Sequence, residues 1–165
     1  MFKGRNFLTA KILVAGFLIS STPLQVEAAT ATSAMAVSAT VLSFCTIVAA
    51  PLSFGNYSSV TIAANSSVTV ACTTGTTYNV GLDVGIGTGA TVAAREMTFG
   101  ANHLAYLLTS DAAHAVNWGP TVGTNTTTGT ATGSNQTLTV YGQIAGGQLV
   151  GTGAYADTVT ATITY

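Results

Sequence analysis

From residue 158 to residue 165 the sequence alternates without a break. Val159, Ala161, Ile163 and Tyr165 share one face, and Thr158, Thr160, Thr162 and Thr164 share the other. A period of two places successive side chains on opposite faces of a strand and cannot build an apolar stripe along a helix. One apolar and one polar face describe a strand half-buried in an antiparallel sheet. The same rule runs through the rest of the chain. Residues 68–72, 78–82 and 138–141 alternate, and 104–109 is an apolar run of the length a buried strand has. Glycine- and threonine-rich stretches at 85–89, 123–133 and 146–147 have turn and loop composition. No window carries helical periodicity. About seven short strands separated by turns predict an all-β fold, a single immunoglobulin-like sandwich. A chain of 165 residues has room for one such domain with a real core.

The first residues follow a different plan. Lys3, Arg5 and Lys11 precede an apolar run at 12–19, and Val26-Glu-Ala28 supplies a small-x-small cleavage site. This is the layout of a secretory signal peptide over residues 1–28, with an apolar run too short to span a bilayer. Its removal leaves Arg95 against Asp83, Glu96, Asp111 and Asp157, a net charge of −3 with no lysine. One arginine cannot supply the basic footprint that nucleic acid or an anionic membrane requires. Surfaces normally carry about a quarter to a third charged residues. Here Thr, Ser, Asn and Gly fill the polar positions, which leaves strand edges poorly protected against association.

Cys45 and Cys72 are the only cysteines. Export places them where disulfides persist, and their wide spacing lacks the close pairs that zinc sites use. A structural bridge between them is expected.

Residues 29–41 carry no Gly, no Pro and no charge. Ala31, Ser33, Met35, Val37, Ala39 and Val41 share one face, while Thr30, Thr32, Ser38 and Thr40 share the other. Termini are usually polar and loose unless something holds them. A strand-prone terminus either pairs within its own domain as a first strand or pairs with another molecule.

Catalytic readings are thin. Ser110, Asp111 and His114 are close in sequence, whereas a working triad assembles from separated elements. The 85–89 glycines lack the spacing of a dinucleotide loop. Trp118 could stack a sugar, but a lone Trp in a small sandwich packs more often in the core. Asn56, Asn65 and Asn125 fit the glycosylation sequon, incidental in a bacterial export context. Arg95 is expected to hold a carboxylate such as Asp83 or Asp157. No enzyme activity, metal, cofactor or small-molecule substrate is expected.

An ordered set of motifs resembles the spore coat protein U domain family. They are Cys45-Thr-Ile, Pro51-Leu-Ser-Phe-Gly-Asn-Tyr57, Val70-Ala-Cys-Thr-Thr74 and Tyr78-Asn-Val-Gly-Leu82. Further along come Arg95-Glu-Met97, Leu104-Ala-Tyr-Leu-Leu108, Trp118-Gly119, Val140-Tyr-Gly-Gln-Ile144 and the ending from Gly153 to Tyr165. The resemblance implies an incomplete immunoglobulin-like sandwich at 44–165, lacking a strand, with an N-terminal donor strand at 29–43. Strand addition of this kind is the known mode of chaperone–pilin complexes. The implied partners are identical or related pilin subunits, a periplasmic chaperone and an outer-membrane usher. The implied function is a structural subunit of a surface pilus, serving adhesion and biofilm growth, as shaft or minor subunit. Ala31, Ser33, Met35, Val37, Ala39 and Val41 would be donor positions, and Val159, Ala161, Ile163 and Tyr165 would border the acceptor groove. The alternatives are a self-complete secreted coat or matrix protein and a sugar-binding module.

Overall fold

The structure is a computed structural model that describes residues 25–165. Most of the expected signal peptide, residues 1–24, lies outside the described residues. Two units make up the chain, Met1–Ser38 and Ala39–Tyr165. In the first, the described residues 25–38 have no secondary structure and are exposed throughout.

The second unit is all-β. Its strands are β1 (Cys45–Ala49), β2 (Ile62–Cys72), β3 (Thr77–Leu82), β4 (Arg95–Phe99), β5 (Asn102–Thr109), β6 (Thr127–Thr130), β7 (Gln136–Ile144) and β8 (Ala161–Thr164). They form a five-stranded antiparallel sheet, β1-β2-β7-β5-β4, and a three-stranded one, β6-β3-β8. The alternating segments at 68–72, 78–82 and 138–141 lie within strands, 158–165 contains β8, and 29–41 forms no strand. Inward positions of both sheets make the core: Val68 and Val70 on β2, Val140 and Ile144 on β7, Leu104, Tyr106 and Leu108 on β5, and Tyr78, Val80 and Leu82 on β3. Cys45 and Cys72 are opposite each other in the β1–β2 ladder and are bridged, tying an edge strand to its neighbour.

Two expectations change, and the core placement favoured for Trp118 holds. The 123–133 stretch is not all loop, because β6 pairs with β3. Its Gly129 lies opposite Tyr78, whose ring occupies the space where a side chain would project. The glycine there makes room for an aromatic ring and does not turn the chain. Trp118 is 1% exposed and its indole N–H donates to Val80 O at 2.7 Å, so it is core and offers no sugar platform. Arg95, fully buried, hydrogen-bonds no carboxylate. Its guanidinium donates to the carbonyls of Asp83, Val92, Leu82 and Trp118, at 2.8, 3.1, 3.2 and 2.6 Å. A buried cation must have its donors satisfied, and loop carbonyls at the end of β3 come closer than any acid.

Ser110, Asp111 and His114 form a capped loop. Asp111 accepts from the N–H groups of Ala115 and Val116, and those bonds hold its carboxyl below the usual range. His114 Nδ1 faces Thr109 Oγ1 at 3.1 Å. Among the described residues no three His, Cys, Asp or Glu side chains gather to hold a metal ion.

Candidate functional site: the open side of the sandwich

Each sheet ends in a strand with one neighbour on the same side of the domain. β1 pairs only with β2, and β8 pairs only with β3. The two edge strands touch, but beyond Ala49 the chain leaves the β-ladder at Ala50 and Pro51. There the sandwich stands open over a groove of about 610 Å³. Its walls include Leu52 and Phe54 after β1, Val68 and Val140 from the large sheet, and Leu82, Val159 and Ala161 from the small one.

A native interior tolerates few voids larger than a water molecule. Sealed and dry, a void of 610 Å³ would cost about 15 kcal/mol at ~24 cal/mol per Å³. That equals or exceeds the whole stability of a typical domain, roughly 5–15 kcal/mol. The groove is therefore sustainable only if wet or filled. Water gains little against Val, Leu and Phe walls, so filling with an apolar strand is the favourable solution.

The polar groups of the groove are already engaged. Tyr106 Oη donates to Asp157 Oδ2 at 2.6 Å, and Asp157 Oδ1 accepts from the backbone of Ile86 and Thr158. Burial, then the hydrogen bond and charge of Asp157, push the Tyr106 phenol well above its ordinary pKa. It stays protonated and remains a donor. Ser66 Oγ donates to the carbonyls of Ala50 and Pro51, fixing the lip where β1 ends. What is left for a newcomer is apolar surface and the free backbone edge of β8.

The structure sorts the four border residues expected from the sequence. Val159 and Ala161 line the groove, Ile163 packs half-buried against the core, and Tyr165 is exposed. Most other wall residues had no assigned role beforehand. Leu52 and Phe54 sit within the Pro51–Tyr57 motif, and their side chains close on Gly142, where a Cβ would not fit. Tyr106 and Met97 fall in motifs that signalled membership without location. Alternation along 155–163 was the available signal, since Tyr155, Asp157, Val159, Ala161 and Ile163 are all half-buried there.

The residues expected as a donor face are uncovered. Positions 25–44 are exposed and outside any strand, with Met35 at 85%, Val37 at 87% and Val41 at 79%. A strand-prone apolar face and an apolar groove thus coexist in one chain.

The Spore Coat Protein U domain model matches residues 31–162. Protein U of Myxococcus xanthus is 33% identical over 174 residues, 94% of this chain and 96% of that protein.

The chain belongs to the spore coat protein U family.

The family match begins inside the exposed terminal segment and ends in β8, so both sides of the groove question lie within it. The fold is also that of a chain in the CsuC–CsuE chaperone–tip adhesion subunit pre-assembly complex from the archaic chaperone–usher Csu pili of Acinetobacter baumannii. The TM-score is 0.59 and the identity 22%, over 76% of this chain and 41% of that one. The likeness establishes the immunoglobulin-like architecture for this spore coat protein U family member.

Proposed function

We propose that this chain is a structural subunit of a surface pilus, polymerised by strand donation. Residues 29–41 of one copy fill the open groove of the next. The observation that carries the reading is the apolar groove beside the unpaired edge of β8, in a chain whose own terminal segment is apolar on one face and uncovered. Met35, Val37 and Val41 would each contribute on the order of 1.5–3 kcal/mol if fully buried. Each new backbone hydrogen bond along β8 adds about 0.5–1.5 kcal/mol net.

The reading brings its partners with it. A domain open along one side needs a temporary occupant during export, a role suited to a periplasmic chaperone, and an outer-membrane usher to exchange that occupant for the next subunit. The structural likeness to a chain of the Csu chaperone–tip subunit complex supports this choice. The product would stand on the cell surface, where a fibre serves adhesion and biofilm growth. The disulfide fits an oxidising export route. A self-complete coat protein is disfavoured by the groove, which such a protein would have filled.

The test is electrophoresis of the exported chain without boiling. Polymers that dissociate on heating are expected, and deletion of residues 29–41 should leave monomers only. A ladder that survives the deletion would rule out strand donation by this segment.

A further inference from the structure

The open edge of the small sheet sets rules for whatever pairs with it. Asp83 N donates to Thr160 O, so Thr160 turns its backbone groups toward β3. Ala156, earlier on the same run, turns the same way and exchanges two backbone bonds with Thr98 of β4. Backbone groups alternate in direction along an extended strand. The N–H and C=O groups of Tyr155, Asp157, Val159, Ala161 and Ile163 therefore face the open side. These are also the half-buried side chains of the run, and all but Ile163 line the groove. A strand added there must turn its own inward face to these residues. Every ladder in the domain is antiparallel. With direction and face both set, register can change only in steps of two residues.

We propose that the donor strand of a second copy pairs with this edge in one register. Val41 lies opposite Tyr155, Ala39 opposite Asp157, Val37 opposite Val159 and Met35 opposite Ala161. The proposal rests on the strand-donation reading and specifies which donor residue meets which wall residue.

Asp157 selects the register. Among the described wall residues it alone carries a charge, and its carboxylate already accepts from Tyr106, Ile86 and Thr158. Covering a charge is costly unless its hydrogen bonds survive. The donor residue above it must therefore be small enough to leave those three bonds in place and must need no partner of its own. Ala39 meets both conditions. Sliding the donor by two residues either way sets Val37 or Val41 there, and their branched carbons press on the carboxylate. Sliding by four sets Met35 there, or else Ser43. Ser43 is tied to its own domain, since the carbonyls of Leu42 and Phe44 on either side accept from Thr73. Sliding by six or eight offers Ser33 or Ala31, but carries Val37 and Val41 past the groove. Only with Ala39 over Asp157 do Met35, Val37 and Val41 all stay on the paired run. Size agrees along its length. Met35, the largest donor side chain, meets Ala161, the smallest on this edge, and the same register sets small Ala31 opposite Tyr165. Cross-strand partners pack best when large and small alternate in this way.

The test is disulfide trapping in the exported full chain. Directly opposed residues of a hydrogen-bonded antiparallel pair lie about 5.5 Å apart at Cα, within the roughly 4.4–6.8 Å that a disulfide spans. Diagonal neighbours are about 7–8 Å apart, beyond it. V37C/V159C should therefore give polymers that survive boiling without reductant and fall to monomers with it. M35C/V159C and A39C/V159C carry the same acceptor substitution and differ from it only in the exposed segment. Each should yield about tenfold less boiling-resistant polymer, and Val159→Cys alone should yield no ladder. If M35C/V159C or A39C/V159C traps best, or all three trap equally, the register is overturned while strand donation stands. Heat-labile polymers that none of the three pairs can trap overturn it as well. If neither wild type nor any variant polymerises, strand donation fails and the register falls with it. A second readout addresses Asp157. Ala39→Leu should lower the temperature at which polymers dissociate, whereas Ala34→Leu, on the opposite face of the segment, should not. Wild-type behaviour from Ala39→Leu overturns the placing of Ala39 over Asp157.

Discussion

β3 and β8 are neighbours in one sheet and carry the same alternation, yet they end in different states. Inward Tyr78, Val80 and Leu82 on β3 are at most 3% exposed. Inward Val159, Ala161 and Ile163 at β8 are only half-buried. The side chains are of one kind, so the difference comes from position. β3 has a strand on each side and Trp118 beneath it, whereas β8 has β3 on one side and on the other only β1, which touches it without pairing. A strand buries its apolar face only when the layer continues past it. The apolar positions left half-buried in the small sheet thus lie along and just before β8.

The contrast can be broken most forcefully at its closed end. Arg95→Ala would leave four carbonyls around the end of β3 without their donors, each worth about 1–3 kcal/mol when buried. A loss above about 4 kcal/mol is expected in chemical denaturation, enough to unfold a marginal domain. Smaller is the effect of C45S/C72S, which frees β1 from its covalent tie to β2. The chain-entropy model gives roughly 3–4 kcal/mol for a loop of this length, read as a lower denaturation midpoint. A pair of truncations sharpens the comparison directly. Val80→Ala should cost about 2 kcal/mol whatever else is present. Val159→Ala should cost under about 1 kcal/mol in the open domain, and more once a strand covers it.

The mildest effect is on the seam between the two strands. Asp83 accepts from Thr160 N at 2.9 Å and donates its own N–H to Thr160 O. Burial pushes its carboxyl up, but the hydrogen bonds from Thr160 and Gly85 and the Arg95 charge prevail and hold it below the ordinary value. A depressed folded pKa means stability that is present above the ordinary carboxylate range and lost as pH falls through the folded value. Amide protection factors along β8, taken relative to the unfolded exchange rate at the same pH, should therefore fall in acid, and Asp83→Asn should remove that step.

Much of this was legible in the sequence, for a physical reason. Alternation over 158–165 and 78–82 reports which side chains face inward, and the cysteines could be paired from their compartment. Alternation cannot report whether a neighbour exists, so the sequence did not distinguish the covered strand from the uncovered one. Gly129 misled because glycine beneath an aromatic ring and glycine in a turn look alike. Arg95 misled because carbonyls presented by a folded loop leave no sequence pattern. The groove wall was hidden for a related reason. Phe54, Met97, Tyr106 and Val159 are far apart in the chain and meet only in the folded sandwich.

The most direct measurement is the melting temperature of residues 43–165 with and without a peptide copying 29–41. At a peptide concentration of about 100 Kd, binding to the folded state adds ~2.7 kcal/mol. For a domain of this size that is a rise of roughly 10 °C. Strand donation predicts that rise, and predicts that a peptide with Met35 and Val37 replaced by Asp lacks it. A cooperative transition unmoved by either peptide would contradict strand donation by this segment.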